Sequence, residues 1–482
     1  MNSGSQADLM QEEQPLVYMT PEEITDWKPY HQLPEPGQYR KPLEERMKKV
    51  KQWSKPQLAG RRWGIGCVSL EITQRCNLDC TLCYLSDSSE AVKDVPLEEI
   101  FTRLEMVRKH YGPNTDVQVS GGDPTLRDRK ELVAIVKRIT DLGMRASLLT
   151  NGIKATRDLL TELASVGLSD VAFHVDLTQE RKGFATEVSL NKIREEYIER
   201  AKGLPIMVIF NTTVYAGNFH EIPALINFFR EKSNIIRFAS FQLQADTGRG
   251  VLRERDFLIT QETVMEQIRK GADTKISFDV PLIGHPKCNK YSYMFSCNGN
   301  LYDIWDEPDF LIEVLDVTKD VVFDRKNRWN TVKRVVSMVA KERHLIWQGL
   351  RFAGRHAWKM KWDLIKSGFK VNKISFFIHN FMDACKLETD RIEGCVFMVA
   401  TKDGPLSMCM HNAKRDEYIL APLTMKSEKG EKLWNPLTGD FDPIAEGTTF
   451  QMNPAMIPMK QAKGRVKQLL KEQKTKSETK NA

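Results

Sequence analysis

Between residues 68 and 243, short apolar runs alternate with longer segments in which apolar residues recur every three or four positions. The first pattern predicts strands buried on both faces, the second amphipathic helices. Strands are predicted over Val68–Ile72, Asp116–Ser120, Arg145–Leu149, Asp170–Val175, Ile206–Val214 and Ile235–Leu243, and helices over Leu97–Tyr111, Arg129–Leu142, Arg157–Val166, Leu190–Lys202 and Glu221–Lys232. Six strands alternating with helices require a parallel sheet with right-handed crossovers. A partial (β/α)6 barrel is its natural closure, an α/β fold in which reactive groups belong at the carboxyl ends of the strands.

The alternation sets the boundaries. Residues 1–62 begin acidic, turn proline-rich and basic, and show helical periodicity only near Leu43–Trp53. They read as an extension wrapping the barrel, or equally as a partly disordered tail. Residues 63–245 form the barrel, residues 246–458 an α+β region of different character, and residues 459–482 a lysine-rich helix fraying into a basic tail. Within the third region, Trp329–Phe377 carries apolar residues near helical spacing with Arg, Lys and Trp on the flanks. Three readings stand side by side: helices packed on the barrel with a solvated basic face, helices lying in a lipid headgroup layer, or a nucleic-acid surface. Of the last two the lipid surface is favoured, and no nucleic-acid partner is expected.

Composition narrows this further. The 482 residues, 41% of them hydrophobic, allow two or three domains with sizeable cores. The longest apolar runs, Ile206–Phe210 and Ile374–Ile378, have strand length and fall far short of the roughly 18 residues that span a bilayer. The polar start Met1–Asp8 does not resemble a signal peptide, so nine cysteines point to reduced thiols with metal or catalytic work. A cytoplasmic location is expected, with membrane contact at most peripheral. The net charge of +7 matters less than where it concentrates.

The candidate chemistry begins where the first strand ends. Cys76, Cys80 and Cys83, separated by three and then two residues, lie on a loop leaving Val68–Ile72. Three thiolates so spaced can ligate three irons of a [4Fe-4S] cubane and leave the fourth iron open. A structural zinc site is the alternative, and it ordinarily brings a fourth Cys or His nearby; none lies between Tyr84 and the next helix. Later strand ends carry polar groups too. Ser120, Gly121, Gly122 and Asp123 follow the second strand, and paired glycines let a backbone approach a ligand closely, although Gly-Gly-Asp-Pro in isolation is only a turn. Asn151 follows the third strand. His174 and Asp176 stand at alternate positions on the fourth and so share a face. Farther along, Cys288, Cys297, Cys395 and Cys409 could converge on a second, fully protein-bound cluster, or be buried free thiols.

The cysteine loop resembles the signature of the radical SAM superfamily. The segment from Phe381 through Cys395 to Cys409 and Asn412, with His285 and Cys288 before it, resembles the branch containing archaeal tetraether lipid synthase and the dihydropterin methylases. The resemblance implies S-adenosylmethionine (SAM) bound through its amine and carboxylate to the open iron, the glycine-rich segment holding the methionyl amine, and Tyr84 on the adenine side, where Leu82 replaces the usual aromatic residue. It also implies a second [4Fe-4S] cluster near the C-terminal cysteines and a reducing partner such as flavodoxin or ferredoxin. Cys385 is an alternative ligand, and Cys67 reads as an ordinary buried thiol. The activity implied is reductive cleavage of SAM to a 5'-deoxyadenosyl radical that functionalises a C–H bond, by carbon–carbon coupling or methylation, on a lipid or other apolar chain. Modification of a pterin or peptide is the alternative within the class. A non-catalytic iron–sulfur electron carrier is the alternative outside it.

Overall fold

The computed structural model describes residues 16–252, 255, 258–322, 327–427, 430–443, 462 and 464–480. The acidic start, part of the charged segment after Gly250 and most of residues 444–463 lie outside the described residues. One mixed sheet of eleven strands organises the rest. Its strands are β1 (Cys67–Thr73), β2 (Asp116–Gly121), β3 (Arg145–Thr150), β4 (Leu168–His174), β5 (Met207–Val214), β6 (Ile236–Leu243), β7 (Asn289–Cys297), β8 (Asn300–Asp303), β9 (Asn372–Asn380), β10 (Phe397–Thr401) and β11 (Gly404–Ser407).

The six strands expected from the sequence run side by side and parallel, β1 to β6. The C-terminal half extends them at both ends, because β10 pairs parallel with β1 and β9 parallel with β6. Eight parallel strands therefore curve around one lumen, with antiparallel β11 beyond β10 and β7 then β8 beyond β9. Rings meet across the gap between the two ends: His379 and Phe397 have centroids 4.7 Å apart, Phe377 and Phe397 5.9 Å. A separate small sheet follows, made of β12 (Leu423–Ser427), β13 (Gly430–Trp434) and β14 (Phe441–Pro443).

Helices cover the sheet's outer face with the stripe their sequences predict. In Arg129–Asp141, the buried residues Leu132, Ile135, Val136 and Ile139 recur at three- and four-residue intervals, and Asp128 caps the first turn by accepting from the Lys130 and Glu131 amides. Burying each such side chain contributes about 1.5–3 kcal/mol. The helix expected near Leu43–Trp53 is Lys41–Lys49; it stops short because Lys51 takes a left-handed φ of 57°. Residues 17–62 lie along the C-terminal half. The Met19 amide donates to Leu387 O at 2.8 Å, and Leu58 to Leu282 O at 2.8 Å. Four helices between β8 and β9, Pro308–Val317, Arg328–Lys341, Arg343–Lys359 and Lys361–Lys366, stand on the flank of the molecule. A last helix spans Gly464–Lys480.

Candidate functional site

The loop that leaves β1 at Thr73 carries Cys76, Cys80 and Cys83, all partly shielded by protein, with Cys83 close enough to raise the cost of ionising Cys76 and Cys80. Burial is the main cause: it pushes the Cys76 thiol up to about 11 and Cys80 well above the ordinary range. The loop is pinned on three sides. The Thr81 amide donates to Thr178 O at 2.8 Å, the Val251 amide to Thr81 O at 2.8 Å, and the Asn151 side chain donates to Asn77 Oδ1 at 2.6 Å. Arg249, buried next to Cys83, donates to Glu90 Oε1 at 3.2 Å.

The paired glycines have a packing role under the cysteine loop. A Cβ on Gly121 would lie 2.0 Å from Thr73 O, and one on Gly122 would lie 2.0 Å from Arg75 O. The space that a side chain would need is filled by the backbone of the cysteine loop, not left open toward a ligand. Amides from this turn secure that backbone, Gly122 donating to Thr73 O at 2.9 Å and Asp123 to Arg75 O at 2.8 Å. Asp123 is fully buried, and its carboxylate accepts from the Thr125 amide and hydroxyl, the Thr150 hydroxyl and the Asn151 amide at 2.5–3.1 Å. It thereby ties the ends of β2 and β3 together. Ser120 is spent on a 2.5 Å hydrogen bond to Ser69. Tyr84 donates its hydroxyl to Gly121 O at 2.5 Å, and its ring lies 4.7 Å from the Arg415 guanidinium.

His174 and Asp176 meet directly, Nε2 to Oδ2 at 2.6 Å, and Asp176 also accepts from the Thr213 amide at 2.8 Å and from Thr178. Burial works against the Asp176 charge, but the imidazole and these donors outweigh it and hold the carboxyl near 2. The pair sits at the carboxyl end of β4, where the barrel rule puts reactive groups.

Of the distant cysteines, three converge. Cys288, Cys395 and Cys409 line one small cavity, and Arg391 Nε donates to Cys288 Sγ at 3.2 Å. Burial pushes Cys288 up to about 11 and Cys409 up to about 12. Cys297 does not join them. It ends the nine-residue strand that Cys288 precedes, about 30 Å away at roughly 3.3 Å per residue, and contacts Ser367 Oγ at 3.4 Å. A straight strand separates its two ends, and sequence spacing alone does not reveal this. Cys385 is exposed, and Cys67 is buried at the start of β1. Among the described residues, no group of three or more His, Cys, Asp or Glu is drawn together as ligands of a single metal ion would be. A cubane, with one thiolate on each iron, holds its ligands farther apart than a single ion does.

Cys83 borders a large cavity of about 690 Å3 inside the barrel, and His379, Phe381, Phe397 and Met408 line both this cavity and the small one that holds the second thiol group. Cys83, Tyr84, His174 and Arg415 line its carboxyl end, and His379, Phe381 and Met408 line the side toward the second thiol group. The sequence reading missed Glu71 and Arg415, which pair at 2.8 Å beneath Tyr84. The available signal was Glu71 itself, a carboxylate in the middle of an apolar strand, which must find a partner when buried.

Parts of this chain are similar to known proteins. A family model for the radical SAM superfamily matches residues 70–229. Residues 70–229 form a radical SAM domain. Over 413 residues, 76% of this chain and 80% of the relative, it is 24% identical to the 7,8-dihydro-6-hydroxymethylpterin dimethyltransferase of Methanocaldococcus jannaschii. It is 29% identical to the PqqA peptide cyclase of Bradyrhizobium diazoefficiens over 167 residues, 33% of this chain and 42% of that one. Streptococcus suis SuiB bound to S-adenosylmethionine overlaps 43% of this chain and 47% of its own, at 16% identity and a TM-score of 0.34.

A radical SAM domain implies a [4Fe-4S] cluster and SAM. The residues present fit both. Cys76 and Cys80, whose thiols burial keeps protonated, become thiolates only beside a strong cation, which a cluster supplies. The cavity beside Cys83 falls in the 300–1,000 Å3 range of cofactor and ligand sites.

Proposed function

We propose that this chain is a radical SAM enzyme that functionalises a C–H bond of an elongated, largely apolar substrate by carbon–carbon coupling or methylation. The observation that carries the reading is the continuous cavity running from Cys83 and Tyr84 to His379 and Met408. A substrate in it would lie between the signature cysteines and the second thiol group. When bound, the cluster and SAM supply reductive C–S cleavage and hence radical chemistry.

The chain's own residues supply the rest. Cys76, Cys80 and Cys83 hold the first cluster; Asp123 and the Gly121–Gly122 backbone fix the loop that carries them. Tyr84, Ser120, Asn151, His174 and Asp176 border the SAM side. Cys288, Cys395 and Cys409 hold a second [4Fe-4S] cluster, with Arg391 offsetting its charge through Cys288. A wall of rings, Tyr291, Phe377, Phe397 and His379, keeps water from the reacting carbon. Flavodoxin or ferredoxin delivers the electron. The surface helices dock on a lipid headgroup layer, which the outward Trp347, Trp358 and Trp362 support. No helix among the described residues is long and apolar enough to cross a membrane.

A second reading, methylation of a pterin, is supported by the similarity to the dimethyltransferase over most of both chains. Anaerobic reconstitution followed by assay of 5'-deoxyadenosine release, with dithionite as reductant, tests the enzyme class. Wild type is expected to release it and Cys80→Ala to release none; release by the variant would refute the assignment. Product analysis with an alkyl-chain and a pterin substrate then separates the two readings.

A further inference from the structure

The barrel is hollow for a reason written in its inward positions. A parallel barrel ordinarily fills its lumen with Val, Ile and Leu. Here Ser69, Ser147, Ala172, Ser240 and Ser375 hold most of the mid-strand inward positions, with only Gln118, Ile209 and Val399 larger among them, all bordering the cavity. The lumen therefore stays open from the cysteine loop down to the amino ends of the strands.

That floor is charged. Arg145 pairs with Asp170 at 2.6 Å and with Asp116 at 3.3 Å, which satisfies both carboxylates. Two further cations line the cavity beside it. Arg237 donates only to neutral oxygens, Ser233 O at 3.1 Å and Asn372 Oδ1 at 3.3 Å. Lys373 places Nζ 3.8 Å from the centroid of the Tyr293 ring. Among the described residues, neither Arg237 nor Lys373 has a carboxylate at ion-pair distance. Burial, then the charges of Arg145 and Arg237, push the Lys373 amine down to about 8. Cations crowded at the end of a lumen, with no balancing carboxylate of their own, are relieved by an anionic ligand.

We propose that Arg237 and Lys373 bind the anionic end, a phosphate or carboxylate group, of an elongated substrate whose apolar body runs up the aromatic wall toward the cysteine loop. This rests on the reading of the cavity as the substrate site. The wall is continuous: Tyr293 and Tyr291 have ring centroids 4.5 Å apart, Tyr291 and Phe377 5.7 Å, and Phe377 and His379 5.6 Å. Lys373 and His379 are six residues apart on β9, so the anion sits about 20 Å from the reacting end. Access fits as well, because the exposed Phe369 and Val371 at the end of the surface helices lie within four residues of Lys373.

The test is isothermal titration of the full-length, anaerobically purified protein with octyl phosphate, octanol and inorganic phosphate. Wild type is expected to bind octyl phosphate more tightly than either of the others. Lys373→Met and Arg237→Gln should each weaken octyl phosphate about tenfold, leave octanol unchanged, and Lys373→Arg should restore binding. The inference is overturned if the Met and Gln variants bind octyl phosphate like wild type, or if octyl phosphate binds no better than octanol. Inorganic phosphate binding as tightly as octyl phosphate would overturn the elongated substrate and assign a free phosphate instead. Titration needs no electron transfer, so its failure is distinguishable from failure of 5'-deoxyadenosine release in the same preparation.

Discussion

The Arg415 guanidinium donates to Glu71 Oε2 at 2.8 Å across 344 residues of chain, and both side chains are buried. Gln74 donates to the same oxygen at 2.8 Å, and the guanidinium lies 4.7 Å from the Tyr84 ring. One ion pair thus couples β1, the cysteine loop and the C-terminal region. Arg415→Met would strand a buried carboxylate and is expected to cost about 3–5 kcal/mol in urea unfolding of the apoprotein, with the Glu71→Gln/Arg415→Met double variant costing less than the sum of the single ones.

The same pair has a pH signature. Burial alone would raise the Glu71 pKa, but Arg415, His411 and the hydrogen bonds outweigh it and lower the carboxyl from 4.5 to about 2. A depressed carboxyl contributes stability above its unfolded pKa and loses it as pH falls through the folded one. The stability difference between wild type and Glu71→Gln should therefore shrink between pH 4.5 and 2. A difference that widens on acidification would contradict the assignment.

Gly122→Ala is a test of packing under the cysteine loop. The new Cβ would meet Arg75 O at 2.0 Å, and a backbone oxygen held by the Asp123 amide cannot step aside. We expect a loss of about 1–3 kcal/mol or more and reduced iron after reconstitution. A Cβ on Gly143 meets nothing within 4 Å, so Gly143→Ala should carry only the strain of its φ of 72° and keep its iron. Equal iron in both variants would show that the turn does not support the loop.

The second thiol group predicts an iron count. Cys288→Ser, Cys395→Ser and Cys409→Ser should each remove iron, up to about four per chain, and Cys297→Ser should remove none. The Cys76/Cys80/Cys83 triple variant should retain about four irons. Iron lost from Cys297→Ser to the same extent as from Cys288→Ser would return Cys297 to the ligand set.

How much of this was legible follows from range. The six central strands and their helices were readable because periodicity is local: Ile135 and Ile139 declare their face within one turn. The signature cysteines were readable for the same reason. Arg415 facing Glu71, Arg391 facing Cys288 and Lys373 facing Tyr293 are contacts between distant segments, and no local spacing encodes them. Cys297 shows the converse, since a thiol near Cys288 in sequence is carried away by the extended strand between them. The glycine turn was only partly legible, because a missing Cβ says that something approaches closely, not whether it is ligand or backbone. Likewise β9 and β10 read as parts of a separate region, although hydrogen bonding to β6 and β1 places them in the barrel wall.

The surface helices make the last prediction. In Arg343–Lys359 the buried Leu345 and His356 mark the face against the protein, while Trp347, Leu350 and Trp358 recur at helical spacing on the opposite face, 76%, 60% and 71% exposed. This helix contains no Asp or Glu. The next, Lys361–Lys366, adds Trp362 and Ile365 to the exposed set, and Lys361 Nζ lies 3.7 Å from the Trp358 ring centroid. Water is a poor neighbour for so many indoles on one face, and a headgroup layer takes both the rings and the cations. Co-sedimentation with phosphatidylserine-containing vesicles should be strong at low salt and weaken as salt screens the cations. Replacing Trp347, Trp358 and Trp362 together by Ser should abolish most of it without lowering the unfolding midpoint, because none of the three is buried. Vesicle binding that survives the triple replacement would move the contact elsewhere, and binding that ignores salt would remove the cations from it.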